Sequence, residues 1–371
     1  MLDSLFCMNT TFLEKKKQQF FGGFLLFVLF MIILISVFSF FDWKWPFVIS
    51  LFIIGVVLLI EGSDWVVHSA THIARGLGIS PVLIGLFFVA VFSTVPELAV
   101  ILYAAFTGHS SLALGTMIGS VIATLGLVIG MSAMITPLSV YSFTVLLEAP
   151  FLLLSAVLLF VLSFRLFDFG SADYVLGKID GALLLLFFLL FLVYTWRSTV
   201  FRESKRVEEE FQHAFGTGLL PIFRTLFVFC AGLASVFFGA KFVVMTSVDI
   251  ASGFAVDEAI VGLTLVALAI SLPALVLSLV GLFQKEYDLV VGNILGANIL
   301  TLLLIGGMTM LVQPLFVDTH VLFIDMLVLV FFCALFQVFI TTDKKITRIE
   351  GGVLFAFYLI YFGYLVWYAM H

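Results

Sequence analysis

Charge is what this chain most conspicuously lacks. Lysine, arginine, aspartate and glutamate make up 11% of its 371 residues, against about 25% in an ordinary soluble domain. That excludes a water-exposed surface of normal composition. Cysteine is nearly absent as well. Cys7, Cys230 and Cys333 stand far apart, which excludes a disulfide framework and a cysteine metal cluster. The formal net charge is −6 with no basic stripe, so nucleic acid is not a partner. The apolar segments carry neither a His-Glu-x-x-His run nor paired acids, so nothing supports a membrane-embedded zinc hydrolase or any other enzyme, and no cofactor is expected. Nor do these segments alternate apolar and polar residues, as the strands of a membrane barrel would.

What the chain has in abundance is apolar length. Hydrophobic residues account for 63%, and runs of about 20 recur from end to end. This describes an integral helical membrane protein whose solvent is the lipid bilayer. The 45 phenylalanines suit packing and lipid-facing positions alike and need no aromatic site. The first run, about 20–41, follows Lys15, Lys16 and Lys17. It exceeds the roughly 7–15 apolar residues of a signal peptide, and Phe41-Asp42-Trp43-Lys44-Trp45 offers no small-residue cleavage site. We read it as an uncleaved extra span. Ten further spans are expected at about 47–67, 80–106, 112–136, 144–164, 180–196, 219–247, 258–283, 288–312, 321–341 and 350–369.

Two stretches of the chain are copies of each other, displaced by about 177 residues with no gap. Gly62 falls on Gly239, Gly85 on Gly262, Pro96 on Pro273, Gly115 on Gly292, Gly119 on Gly296, Thr124 on Thr301 and Pro137 on Pro314. Matching Pro and Gly inside duplicated apolar helices are the sequence mark of a secondary transporter, with its site where the copies meet near the bilayer midplane. The chain therefore divides into an N-terminus with the extra helix (1–45), a first half (46–197), a linker (198–217) and a second half (218–371). Arg202, Lys205 and Arg206 beside Glu208, Glu209 and Glu210 make the linker a solvated segment.

Positive charge orients the whole. With Lys15–Lys17 in the cytoplasm, Arg75, Arg197, Arg202, Lys205, Arg206, Arg224, Lys285, Lys344, Lys345 and Arg348 also fall there, while Lys44, Arg165 and Lys178 fall outside. Each half then has an odd number of spans, so the copies are inverted, and the C-terminus lies outside. The membrane is a plasma membrane or a bacterial inner membrane. The expected fold is all-α and polytopic: two inverted five-helix repeats, ten core helices, plus one extra N-terminal helix.

The chemistry concentrates in two motif pairs. The first copy reads Gly85-Leu-Phe-Phe-Val-Ala-Val-Phe-Ser-Thr-Val-Pro-Glu-Leu98, then Gly115-Thr-Met-Ile-Gly-Ser-Val-Ile-Ala-Thr124. The second reads Gly262-Leu-Thr-Leu-Val-Ala-Leu-Ala-Ile-Ser-Leu-Pro-Ala-Leu275, then Gly292-Asn-Ile-Leu-Gly-Ala-Asn-Ile-Leu-Thr301. Proline removes a helical hydrogen bond, and Pro96 and Pro273 are expected to free carbonyls about one turn earlier. Freed carbonyls are hard oxygen ligands for a cation. Ser93, Thr94 and Ser271 add hydroxyls, and Glu97 adds a carboxylate deep in an apolar segment, where an acid is a functional candidate by default. Asn293 and Asn298 are buried amides that need partners.

At these residues the chain resembles the calcium/cation antiporter superfamily, which includes sodium/calcium exchangers. The family's repeats read G-T-S-L-P-E-L and, about 20 residues on, G-N-x-x-G-S-N-I-F-N. The resemblance runs from about residue 46 onward and takes in Gly62-Ser-Asp-Trp-Val-Val67 with Gly239-Ala-Lys-Phe-Val-Val244. It also includes Lys178-Ile-Asp-Gly-Ala-Leu183 with Arg348-Ile-Glu-Gly-Gly-Val353. It implies ten core helices, of which the first of each half slides across a rigid body of eight. It implies inorganic cations as partners, held by acids after the two prolines and by hydroxyls and amides of the second motif. On that basis the cation ligands are Glu97, Ser93, Thr94, Ser120, Ser271, Asn293 and Asn298, with Pro96, Pro273, Thr124 and Thr301 as helix breaks and supporting groups. The transported ion, Ca²⁺, Na⁺ or H⁺, is cargo.

This chain departs from the family pattern. Ala274 stands where the second acid belongs, Ile270 replaces a threonine, Ala297 a serine, and Thr116, Val121 and Thr124 take amide positions. One carboxylate remains instead of two. Ca²⁺ on Glu97 alone leaves a net +1, and an uncompensated buried charge costs several kcal/mol. A monovalent cation or a proton leaves the site neutral. A non-transporting relative, acting as a sensor or assembly partner, is the alternative. Outside the motifs, Asp64 and Lys241 match across the copies and suit a structural or gating role. Glu61, Glu148 and Asp325 are further acids near or within spans, and His68 suits the membrane surface.

Overall fold

The computed structural model describes residues 44–76, 94–140, 143–164, 175–199, 222–284, 287–318, 320–343 and 345–371. The expected extra span at 20–41, the linker from residue 200 on, Gly85 and Ser93 lie outside these residues, while residues 198 and 199 end the last helix of the first half.

The first half comprises α1 (Lys44–Gly76), α2 (Val95–Phe106) and α3 (Ser110–Ala123), which continues through a π turn at Thr124–Ile129 into α4 (Gly130–Ile135). Then come β1 (Leu138–Ser139), α5 (Phe143–Leu162), β2 (Val175–Leu176) and α6 (Lys178–Thr199). The second half opens with α7 (Ile222–Phe254), α8 (Glu258–Val261), a π turn at Gly262–Val266 and α9 (Ala267–Gln284). It continues with α10 (Tyr287–Ile299), a π turn at Leu300–Ile305, α11 (Gly306–Val312) and β3 (Leu315–Phe316). A π turn at Val321–Asp325, α12 (Met326–Asp343), β4 (Lys345–Ile346) and α13 (Arg348–Met370) complete it.

Among the described residues, 8 helices are long and apolar enough to cross a membrane, and shorter apolar helices occupy Val95–Phe106 and Glu148–Leu162. Each of these overlaps a segment expected from the sequence, Val95–Phe106 only the later part of 80–106, whose residues 80–93 lie outside the described residues. α1 and α7 run past the expected 47–67 and 219–247 because their polar ends, around His68–His72 and Asp249–Ser252, continue the helix where apolar length has already run out.

The duplication is visible in the element order. α3, its π turn, α4 and β1 recur displaced by about 177 residues as α10, its π turn, α11 and β3. Pairing follows the same rule. β1 pairs antiparallel with β4, and β2 with β3, so each two-stranded sheet takes one strand from each half. α1 and α7 pack on each other along their length. A Cβ on Gly55 would stand 3.0 Å from the Gly239 carbonyl oxygen, and one on Gly62 3.0 Å from that of Gly232. These glycines are equivalent in the two copies, and the contacts run in opposite chain directions, so α1 and α7 cross antiparallel about a local two-fold axis. Ser235 Oγ donates to the Leu58 carbonyl at 2.9 Å at the same crossing.

The repeated half endings start helices. The Asp180 carboxylate accepts from Gly177 N at 2.8 Å before α6. Thr347 and Glu350 form a reciprocal cap on α13, with Thr347 N donating to Glu350 Oε2 at 2.7 Å. The next glycines allow close crossing: Gly181 lies against the Gly307 carbonyl and Gly351 against that of Gly130. The two most deeply buried spans are Ser110–Ile135 and Val290–Val312, which carry the second motif of each copy. Around them the outer faces are apolar, as at Phe223, Phe283 and Ile360, which suits contact with lipid.

Candidate functional site

The motif helices meet in the centre. α3 packs against α2, α8, the Gly262–Val266 turn and α9, and the Thr124–Ile129 turn packs against α9 and α10. Three glycines set this seam. A Cβ on Gly115 would run into the Ala259 carbonyl, one on Gly119 would lie 2.6 Å from the Leu263 carbonyl oxygen, and one on Gly262 2.6 Å from that of Leu112. Small residues in both copies thus bring backbone against backbone.

Glu97 lies in the first turn of α2, beside buried Pro96, with Thr94 buried at the helix cap. Proline suits this place because its missing N–H would have no intrahelical partner there. A carboxylate in the first turn also meets the positive end of the helix dipole. Glu97 Oε2 is buried and accepts no hydrogen bond. α2 packs on α3, α7, α11 and the Leu300–Ile305 turn, so the carboxylate enters from the first half beside the repeated motif of the second.

Pro273 behaves differently from expectation. α9 runs unbroken through it. Proline still removes one N–H, which leaves the Ala269 carbonyl without its donor four residues on. The visible irregularity lies upstream, in the Gly262–Val266 π turn. Ser271 is buried and donates to the Ala267 carbonyl at 2.7 Å. Ser120 likewise donates to the Met117 carbonyl at 3.1 Å. A hydroxyl that donates to its own helix keeps its oxygen lone pairs, so both remain acceptors.

A direct hydrogen bond joins the motifs of the two halves. Thr124 Oγ1 lies 2.8 Å from Asn298 Oδ1, 2.9 Å from the Ser120 carbonyl and 3.0 Å from the Val121 carbonyl. A hydroxyl has one proton, so it cannot donate to all three. The Asn298 Nδ2 is buried without an acceptor. Turning the amide over resolves both problems: Nδ2 donates to Thr124 Oγ1, which donates to the Ser120 carbonyl. The Asn298 oxygen then faces a position with no donor, as a cation ligand would.

Thr301 is buried at the matching place in the second copy, and Asn293 lies partly buried on α10. Thr116, which lies outside the expected ligand set, is fully buried with no partner for its hydroxyl. Its signal was available, since it aligns with Asn293. The structure brings Thr124 and Asn298 into contact; Glu97 and Ser271 lie on helices packed against the same α3. Among the described residues no three His, Cys, Asp or Glu side chains are grouped as a metal cluster would require. Among the described motif residues, Glu97 offers a carboxylate and its neighbours hydroxyl, amide and carbonyl oxygens.

Asp64 lies 3.5 Å from His68 on the same helix. His109, before α3, meets Glu258 of α8, with Nδ1 3.0 Å from both carboxylate oxygens, which ties the two halves together.

Duplicated apolar helices packed around an intramembrane acid are what a membrane transporter requires, and comparison with known proteins gives the family. Residues 47–197 and 224–367 match the family described as sodium/calcium exchanger protein. The chain belongs to this family. It is 33% identical over 314 residues to CaxA of Alkalimonas amylolytica, a protein named as a candidate antiporter, covering 83% of this chain and 95% of that one. It is 29% identical over 341 residues to the sodium/calcium exchanger MaX1 of Methanosarcina acetivorans, again covering 83% and 95%. A solved structure of the sodium-calcium exchanger NCX_Mj, soaked with Na⁺ and Sr²⁺, is 28% identical with a TM-score of 0.55, covering 86% of this chain and 98% of that one. The protein is thus a multi-pass membrane protein of a cation-antiporter family.

Proposed function

We propose that this protein is a secondary-active antiporter that exchanges Ca²⁺ or another cation for Na⁺ or H⁺ by alternating access, with Glu97 as its one main carboxylate. The observation that carries this reading is the buried Glu97 oxygen without a hydrogen-bond partner, in a chain that has Ala274 where a second acid would stand. A buried carboxylate with an oxygen left unpaired is costly unless a cation or proton neutralises it. Thr94, Ser120, Ser271, Asn293 and Asn298 supply the further oxygens, together with Ser93, and Thr124, Thr301, Pro96 and Pro273 support them.

Charge decides the cargo. One carboxylate balances Na⁺ or H⁺ and leaves Ca²⁺ with a net +1, so a monovalent cation is the better-matched ion and Ca²⁺ binds weakly. The antiparallel crossing of α1 and α7 supports an inverted pair of halves, with ten core helices and the extra helix at 20–41. With the basic residues in the cytoplasm, the C-terminus lies outside. Halves related in this way make inward-open and outward-open states near mirror images, which is how alternating access is built.

Losses at Ala274, Ile270 and Ala297 favour a second reading, a non-transporting relative that keeps the fold. Proteoliposomes decide between them. Under an imposed Na⁺ or H⁺ gradient, Na⁺ or K⁺ flux with little Ca²⁺ flux supports the antiporter as described. High-affinity Ca²⁺ exchange contradicts the charge argument, and silence with every cation leaves the second reading.

A further inference from the structure

A second ionisable cluster lies away from this site. Asp325 ends the π turn that leads into α12, and it is completely buried. Its Oδ1 accepts from the Tyr361 hydroxyl at 2.7 Å, and its Oδ2 lies 3.2 Å from His320 Nδ1. His320 Nε2 lies 2.9 Å from the Tyr364 hydroxyl. The imidazole also stacks on the Tyr368 ring, centroids 4.1 Å apart.

The hydrogen-bond inventory assigns the protons. An ionised carboxylate only accepts, so Nδ1 carries a proton in either charge state. Nε2 is where the state changes. Neutral, it accepts from the Tyr364 hydroxyl; charged, it donates to the Tyr364 oxygen. A phenol serves both roles by rotating its hydrogen. The cluster therefore gains or loses one proton without losing a hydrogen bond.

We propose that His320, Asp325, Tyr361 and Tyr364 form a binding site for one proton at the C-terminal end of the molecule, whose occupancy adjusts cation exchange from that side. The link to exchange rests on the antiporter reading above. Two further acids act on the imidazole through their charge: Asp318, in the segment before it, and more weakly Asp257, in the loop before α8. Asp257 accepts from Ala259 N at 2.7 Å and so caps the start of the segment that leads to Ser271 and Pro273. Removing the His320 proton takes away a positive charge whose field reaches Asp257. The site belongs to one half alone. In the first copy Phe143 aligns with His320 and Glu148 with Asp325. A site present at one end makes the response one-sided, whereas the repeat by itself would treat both sides alike.

Asp325 and the nearby acids hold the His320 pKa above the ordinary imidazole range, against the opposing effect of burial. The first test is histidine NMR on the full-length protein, with His320 assigned by its loss in His320→Gln. The resonance is expected to titrate above free imidazole and to move down in Asp325→Asn. Asp318→Asn, which changes an exposed acid, is expected to lower it too. A midpoint at or below free imidazole, or one unmoved by both variants, overturns the proton site. The second test is flux in oriented proteoliposomes. Changing pH on the C-terminal side is expected to alter exchange in the wild type and not in His320→Gln. The same one-sided response in both overturns the link to exchange. Absence of any cation flux defeats the antiporter reading instead, and the titration then still decides the proton site.

Discussion

Gly115→Ala is the sharpest packing test of how the two halves are joined. α3 lies alongside α8 and its π turn so closely that a methyl at 115 would run into the Ala259 carbonyl. At Gly119 a methyl would lie 2.6 Å from the Leu263 carbonyl oxygen and 2.7 Å from its Cα. The obstruction in both cases includes backbone, which has no rotamer to turn aside. The helices must separate, and the seam then loses packing at Leu112, Thr116 and Gly262 as well. Overpacking of this kind costs about 1–3 kcal/mol, and backbone obstruction places it toward the upper end. Gly363→Ala is the control. Nothing lies within 4 Å of its added methyl, and alanine gains up to about 1 kcal/mol of helix propensity over glycine. Reversible unfolding in mixed micelles reads both. Gly115→Ala should unfold at lower denaturant and Gly363→Ala at the same or higher. A Gly115→Ala protein as stable as wild type would refute the close seam and the site geometry built on it.

Three further outcomes are expected. Ala274→Glu restores a second acid and should raise the apparent affinity for Ca²⁺ in binding titrations, whereas an unchanged affinity would mean position 274 does not face the cation. A double-mutant cycle of Thr124→Val and Asn298→Leu should return a coupling of about 0.5–1.5 kcal/mol for their single bond, and additive losses would mean the bond contributes nothing. The His320 pKa is raised in the fold, so its contribution to stability is full below the free-imidazole pKa and is lost as pH rises through the folded value; melting temperature should fall as pH rises through that window in wild type and stay flatter in His320→Gln.

The duplication was legible because glycine and proline sites cannot drift freely. Gly115, Gly119 and Gly262 each have backbone where a side chain would go, so their spacing survives in the sequence. Glu97 stands out in the sequence for a different reason: an acid in an apolar helix has few structural uses. Span positions followed from apolar length, but helix ends did not, since α1 and α7 continue through residues such as His72 and Asp249 that hydropathy alone assigns to water. The unbroken course of α9 through Pro273 was also hidden. Proline marks a missing hydrogen bond, and whether the helix opens there depends on the neighbours packed around it. Thr116 escaped because threonine in a membrane helix usually bonds its own backbone, and only burial reveals that its hydroxyl does not. The His320 cluster was invisible, because Tyr361 and Tyr364 come from a helix far along the chain and no local spacing joins them to Asp325.

The central claim is that one buried carboxylate carries the exchange. The measurement that tests it most directly is gradient-driven cation flux in proteoliposomes, with wild type and Glu97→Gln compared at equal, verified folding. The account predicts flux that requires the opposing gradient in wild type and disappears in Glu97→Gln, because the neutral amide can neither balance a cation nor take up a proton. Flux of the same rate and ion preference in Glu97→Gln would contradict it.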